Sequence, residues 1–277
     1  MGTEQTRKKR AESGLQVHWA VAVLAMIGYL FVVAPLLVVI GASFNRDYMA
    51  FPPENLSLTW FGQALRQPEF VQAAKVSLGL GVAAAVLSTA LAISVCVMLR
   101  RLRPGLRTAI SAAFLGPLLV PSVILALALY QVVILATRTT SFLALLIGHV
   151  VITLPYPIRT ITAVLERVDP SVEDAAASVG ATPLQTALKI VLPLAKSGVI
   201  AGALFAFIVS WNDFPISIFL APPDGIPLPV RIYSYILFEY KPLVAAISTY
   251  LVLLSIGIVY AIERLVGLTV FVGAGTR

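Results

Sequence analysis

Along the chain, polar and charged positions collect into short stretches, and between them lie six apolar runs. These are Val17–Ala42, Val76–Leu99, Thr108–Ala136, Ser141–Ile158, Ser197–Leu220 and Pro242–Ile262. A helix needs about 20 mainly apolar residues to cross roughly 30 Å of hydrocarbon, and each run is of that order. The pattern therefore predicts an all-α membrane protein of six transmembrane helices. Several runs carry proline: Pro35, Pro117, Pro121, Pro155, Pro157 and Pro215. Each removes a backbone donor, which hydrocarbon tolerates only where protein or a water-filled cavity supplies a substitute. A bundle with a polar interior is expected rather than a simple anchor.

Composition supports the bilayer as the solvent. Of 277 residues 59% are hydrophobic and 12% charged, about half the charged fraction of a soluble domain. The basic cluster Arg7, Lys8, Lys9, Arg10 precedes an apolar run far longer than the roughly 7 to 15 residues of a signal peptide, so the first run is read as a retained span. Residues 1–16 are expected to form a disordered basic tail, and residues 17–277 a single membrane domain. Fourteen of the 20 Lys and Arg residues fall on one set of connections and six on the other. The positive-inside rule then places both N- and C-termini in the cytoplasm, as an even number of spans requires. The net charge of +7 sits at the ends of apolar segments and not on one polar face, so no nucleic-acid partner is expected. The lone Cys96 excludes an intramolecular disulfide. No phosphate loop, His-Glu-x-x-His, Gly-x-Ser-x-Gly or Cys/His cluster is present, so no catalysis, metal or cofactor is expected of this chain itself.

The cytoplasmic loop over residues 166–196, between the fourth and fifth spans, is long enough to be structured. Asp169 and Pro170 suit the start of a helix, with Glu173 and Asp174 where the helix dipole favours negative charge. Gly180 suits a left-handed stop. Thr182, Pro183 and Gln185 then form a capping-box start for a second helix, ending at Leu192-Pro193. The loop is predicted to be a helix–turn–helix platform outside the membrane. Its first helix presents Ala175, Ala176 and Ala177, a smooth surface for another protein.

The run Glu173-Asp174-Ala175-Ala176-Ala177-Ser178-Val179-Gly180, continuing to Ile190-Val191-Leu192-Pro193, resembles the EAA motif of binding-protein-dependent ABC importer permeases. The spacing from Gly180 to Ile190 fits, whereas Asp174 stands where the motif has Glu and Ser197 where a proline is frequent. Six spans with an inward N-terminus match the type I ABC importer permease fold. Ser43-Phe44-Asn45, Phe51-Pro52-Pro53-Glu54, Leu58-Thr59-Trp60-Phe61 and Ser210-Trp211-Asn212-Asp213-Phe214 are similar to segments of the spermidine/putrescine importer permeases. The resemblance implies a permease subunit of the bacterial inner (cytoplasmic) membrane that forms the translocation path for a small polar solute, a polyamine or other organic cation foremost. It implies three partners: a dimer of ATPase subunits that bind ATP and Mg, a second permease chain, and a periplasmic solute-binding protein. Residues 166–196 would be the coupling loop, in which Ala175, Ala176 and Gly180 pack into the ATPase, Glu173 and Asp174 hold polar contacts, and Leu192 and Pro193 close the motif.

Asp213 falls in the fifth run, where a carboxylate costs roughly 2.5 to 3.5 kcal/mol on insertion scales. Two readings stand side by side. It attracts a solute, with Trp211 and Asn212 shaping the path, or it is hydrogen-bonded among the helices. His149, without a carboxylate nearby in sequence, is read as a packing residue. The rival function, an ion-coupled secondary transporter, would use His149 and Asp213 as relay groups.

Overall fold

The computed structural model describes residues 2–169, 171–239 and 241–266, and among these all helices and strands are helical apart from one isolated bridge, Asn45 with Leu56. The chain divides into two compact units, residues 1–64 with 240–250 and residues 65–239 with 251–277.

The first unit holds α1 (Gly2–Ala42), most of α2 (Thr59–Arg66) and the start of α14 (Pro242–Val266). Residues 1–16, expected to be disordered, instead continue α1 back to Gly2. Glu, Gln, Lys, Arg and Ala are strong helix formers, and extending an existing helix avoids a new nucleation step. From Val21 to Ala42 this helix has a mean hydropathy of 2.8 and no buried side chain over its most apolar stretch. An apolar helix with an exposed surface all round is suited to hydrocarbon. The connection after it is tied by Asn45, whose side chain donates to Ala50 O at 2.5 Å and accepts from Glu54 N at 2.9 Å. Trp60 donates to Arg46 O at 2.8 Å, and Phe61 packs between Phe44 and Tyr250. The residues that resemble the polyamine permeases here thus form a self-bonded loop.

The second unit is built around α3 (Pro68–Arg100). After it come α4 (Pro104–Leu115), a 3-10 turn at Gly116–Leu119, and α5 (Ser122–Thr137), followed by α6 (Phe142–Thr153) and α7 (Pro155–Leu165). The loop elements are α8 (Ser171–Ser178), α9 (Pro183–Thr186), a π turn at Ala187–Val191 and α10 (Leu192–Leu194). Then come α11 (Lys196–Asn212), α12 (Pro215–Leu220) and α13 (Leu228–Phe238). Prolines open several of these helices: Pro68, Pro104, Pro183, Pro215 and Pro229 each stand in a first turn, where a missing N–H costs nothing.

Small residues let the helices of this unit approach closely. Buried Ser77, Gly81, Ala84, Ala85, Ser88 and Ala92 run along α3, and Gly198, Ala201, Gly202 and Ala206 along α11. A Cβ at Gly202 would stand 2.6 Å from Pro157 Cα, and one at Gly198 2.8 Å from Thr160 O. The Thr160 hydroxyl donates back to Gly198 O at 2.9 Å. One apolar core joins Ala92, Cys96, Ile158, Ile161, Leu165, Val191 and Ala195, and a second joins Leu80, Leu145, Ile216 and Leu220.

Among the described residues, four helical segments are long and apolar enough to cross a membrane: Val21–Ala42, Pro68–Arg100, Phe142–Leu165 and Pro242–Ala261. Counting each of two bent pairs as one span gives six, Pro104–Leu119 with Ser122–Thr137 at 101° and Pro183–Leu194 with Lys196–Asn212 at 74°. The third run, expected as one span, is broken where Pro117 and Pro121 interrupt the ladder. The fifth is broken at Asp213-Phe214, before Pro215. α13 lies in the connection beyond it, which no apolar run had marked.

Candidate functional site

The helix–turn–helix forms as its punctuation dictates. Asp169 Oδ1 accepts from Ser171 N at 2.8 Å, and that bond holds the Asp169 carboxyl below the usual carboxylate range. Pro170, expected in the first turn, lies outside the described residues. α8 ends in paired bonds, Ala181 N to Ala176 O at 3.0 Å and Gly180 N to Ala177 O at 2.9 Å, with Gly180 at φ +83°. This is the glycine-terminated Schellman arrangement. Thr182 and Gln185 then cap each other reciprocally, Gln185 N donating to Thr182 Oγ1 at 3.3 Å and Thr182 N to Gln185 Oε1 at 2.9 Å. The second helix does not stop at Leu192-Pro193. A π turn, with Leu192 N bonded to Ala187 O, precedes the proline and carries the helix on to Leu194. The wider turn relieves the clash of the proline ring with the carbonyl four residues back.

Arginines from the end of α3 hold this platform. Arg100 donates to the Glu173 carboxylate and to Leu165 O at 2.7 Å, and Arg101 donates to Pro183 O at 3.0 Å. Arg107 of α4 lies 3.5 Å from Glu166. Glu173 therefore faces Arg100 within its own chain. Ala176, 5% exposed, turns inward, and Leu192 is half-buried. The outer face presents Asp174, Ala175, Ala177, Gly180 and Pro193, together with Val179 (84% exposed), Leu184 and Leu188. Those three large apolar side chains escaped sequence reasoning, and so did Arg100 and Arg101. A partner 73 residues away leaves no local signal, whereas unburied apolar residues in a polar loop are visible once its helical phase is known.

The second cluster lies where α11 breaks. Asp213 Oδ2 accepts from Ile216 N at 2.9 Å and Ser217 N at 3.2 Å, capping α12. His149, fully buried on α6, bonds Ser210 Oγ through Nδ1 at 2.7 Å and Ser217 Oγ through Nε2 at 3.2 Å, and its Nε2 stands 3.9 Å from Asp213 Oδ2. The carboxylate absent from the sequence neighbourhood of His149 is thus supplied across helices. Every ring nitrogen of His149 has a hydroxyl partner. Trp211 is buried and stacked on Phe207 at 5.8 Å, its Nε1 without a hydrogen bond. Asn212 is exposed and donates to Ile208 O at 2.9 Å and Ser255 Oγ at 3.4 Å.

Apolar spans interrupted by prolines, small-residue helix contacts and an anchored helical hairpin with an apolar outer face describe a multi-span membrane protein with an exposed helical platform. The profile of the family described as "Binding-protein-dependent transport system inner membrane component" matches residues 19–267, and the chain belongs to that family. It is therefore an importer permease subunit and not an enzyme. The spermidine/putrescine transport system permease protein PotC of Haemophilus influenzae is 29% identical over 83% of this chain and 90% of that protein. The putrescine transport system permease protein PotI of Escherichia coli K12 is 30% identical over 87% of this chain and 88% of that protein. The trehalose transport system permease protein SugB of Mycobacterium tuberculosis is 27% identical over 79% and 81%. Among solved structures, a bacterial alginate ABC transporter in complex with an alginate pentasaccharide-bound periplasmic protein matches with a TM-score of 0.71 at 14% identity, covering 94% of this chain and 96% of that one. That likeness carries the fold.

Proposed function

We propose that this permease subunit imports a small organic cation of the polyamine class across a bacterial inner membrane, with both termini in the cytoplasm. The names of PotC and PotI support the cargo, and the 14-to-6 division of basic residues supports the orientation. A periplasmic binding protein delivers the solute, and a second permease chain completes the path. The proposed path runs past the break at the end of α11, where Asn212 is exposed, Trp211 forms a wall and Asp213 fixes the turn. An ATPase dimer carrying ATP and Mg docks on residues 166–196, meeting Asp174, Ala175, Gly180, Val179, Leu184 and Leu188. Glu173 and Ala176 act from beneath by holding the docking helix on the chain. Residues 17–277 serve as one permease domain.

The observation that carries the docking proposal is the exposed apolar face on a platform bolted to α3 by Arg100. ATP binding by the ATPase and loaded binding protein each favour one orientation of the path, which is what makes switching follow the cycle. The test is affinity purification in mild detergent with identification of stoichiometric partners, followed by competition for radiolabelled putrescine uptake. Recovery of an ATPase and a binding protein, with putrescine and spermidine competing and trehalose not, is expected. Recovery of the chain alone would overturn the docking proposal, and competition by trehalose alone would overturn the cargo.

A further inference from the structure

A cavity of about 780 Å³ opens between α4 and α7, within the 300–1,000 Å³ typical of ligand sites. It is lined by Arg107, Arg159, Thr108 and Ser111 together with Leu115 and Ile158. Two guanidiniums face it against one carboxylate, Glu166, which already lies 3.5 Å from Arg107. Arg159 is exposed and has neither a hydrogen bond nor an ion pair with any described residue. The fourth span continues past its expected end at Ile158, so Arg159, which the sequence assigned to the connection, stands six residues inside the end of the apolar segment Phe142–Leu165, about 9 Å of helix rise. A charge at that depth requires a counter-charge or water, and an ionisable side chain within a span marks a functional site by default. Arginine extends its aliphatic stem along apolar surface and brings its head toward the interface.

We propose that this cleft binds the phosphate headgroup of an anionic phospholipid from the cytoplasmic leaflet, held by Arg159 and Arg107, with an acyl chain along Leu115 and Ile158. The placement in that leaflet rests on the orientation proposed above. Basic pockets between membrane helices on the cytoplasmic side suit such headgroups, and the planar guanidinium fork matches phosphate oxygens. The mixed lining of guanidiniums, hydroxyls and aliphatic carbon fits a lipid headgroup with the start of its acyl chain. A translocating organic cation would meet two guanidiniums here and be repelled.

The importer is purified intact from its native membrane in mild detergent and its retained lipids are identified by native mass spectrometry. One phosphatidylglycerol or cardiolipin per permease chain is expected, with occupancy falling about tenfold in Arg159→Gln and largely kept in Arg159→Lys. Only zwitterionic lipid retained, or equal occupancy in Arg159→Gln, overturns the proposal. So does displacement by millimolar inorganic phosphate, which would assign the cleft to a soluble anion, or displacement by the imported solute, which would assign it to the path. The ATPase retained in the same sample reports separately on the docking proposal, so failure of one is distinguishable from failure of the other.

Discussion

Gly180 holds φ +83°, with open space around the position a Cβ would occupy. A side chain there meets no neighbour, yet the left-handed backbone costs an L-residue about 1–2 kcal/mol. Gly180→Ala is expected to loosen the turn with a modest loss of uptake. Gly180→Glu adds a charge to the outer face, and it should lower ATPase co-purification and uptake together by an order of magnitude while the chain stays in the membrane fraction. Asp169 makes a neighbouring prediction. Its pKa is depressed by the bond from Ser171 N, so the bond's contribution is present above the ordinary carboxylate range and is lost as pH falls through the folded value. Amide hydrogen exchange at Ser171, corrected for the intrinsic pH dependence, should rise on acidification, and in Asp169→Ala it should be raised at all pH values. Asp213 is the residue for which the sequence left two readings, and the cap on α12 favours the structural one. Asp213→Asn keeps an oxygen for Ile216 N and Ser217 N, so its unfolding temperature in detergent and its KM for uptake should stay near wild type. Asp213→Ala loses the cap and should cost about 1 kcal/mol. A raised KM in a stably folded Asp213→Asn would instead give the carboxylate to the solute.

Among the elements, α3 is the longest helix of its unit. Its 33 residues rise about 50 Å, from Pro68 to the arginines beneath the platform. Arg100 is largely buried against Glu173 and Leu165 O, and hydrogen bonds to charged groups contribute about 1.5–3 kcal/mol each. Glu173→Gln should detach α8 without unfolding the spans, measured as faster proteolysis of the loop and as ATP hydrolysis less strictly tied to uptake. The double exchange Arg100→Glu with Glu173→Arg should restore part of that coupling, whereas either single reversal should not. These elements also show where reading the chain worked. Caps and prolines act over three or four residues, so the boundaries at Asp169, Gly180 and Thr182 are legible in the sequence. The bond from His149 to Ser210 joins positions 61 apart, and the Arg100–Glu173 contact joins positions 73 apart. Neither leaves a periodic trace. The π turn was hidden for a different reason: a proline after Leu192 normally ends a helix, and only the inserted wide turn lets this one continue.

For the molecule as a whole, the apolar runs account for the segments able to span a bilayer, because hydrophobic length is a property of composition and needs no partner. The breaks within two of them, the 101° bend in the third and the interruption at Asp213-Phe214 in the fifth, follow from backbone satisfaction, which depends on neighbours that composition does not name. The contact between α7 and α11 has a consequence on an evolutionary scale. At Gly202 even a methyl group would stand 2.6 Å from the Pro157 backbone, and at Gly198 it would meet the Thr160 carbonyl at 2.8 Å. Backbone cannot swing aside as a side chain does, so drift at these two sites is closed off however freely the lipid-facing surface changes. Permeases only 29–30% identical to this one have replaced most of their residues. An alignment should find positions 198 and 202 among the few held to glycine, and where one has become alanine, a compensating change should appear at Pro157 or Thr160.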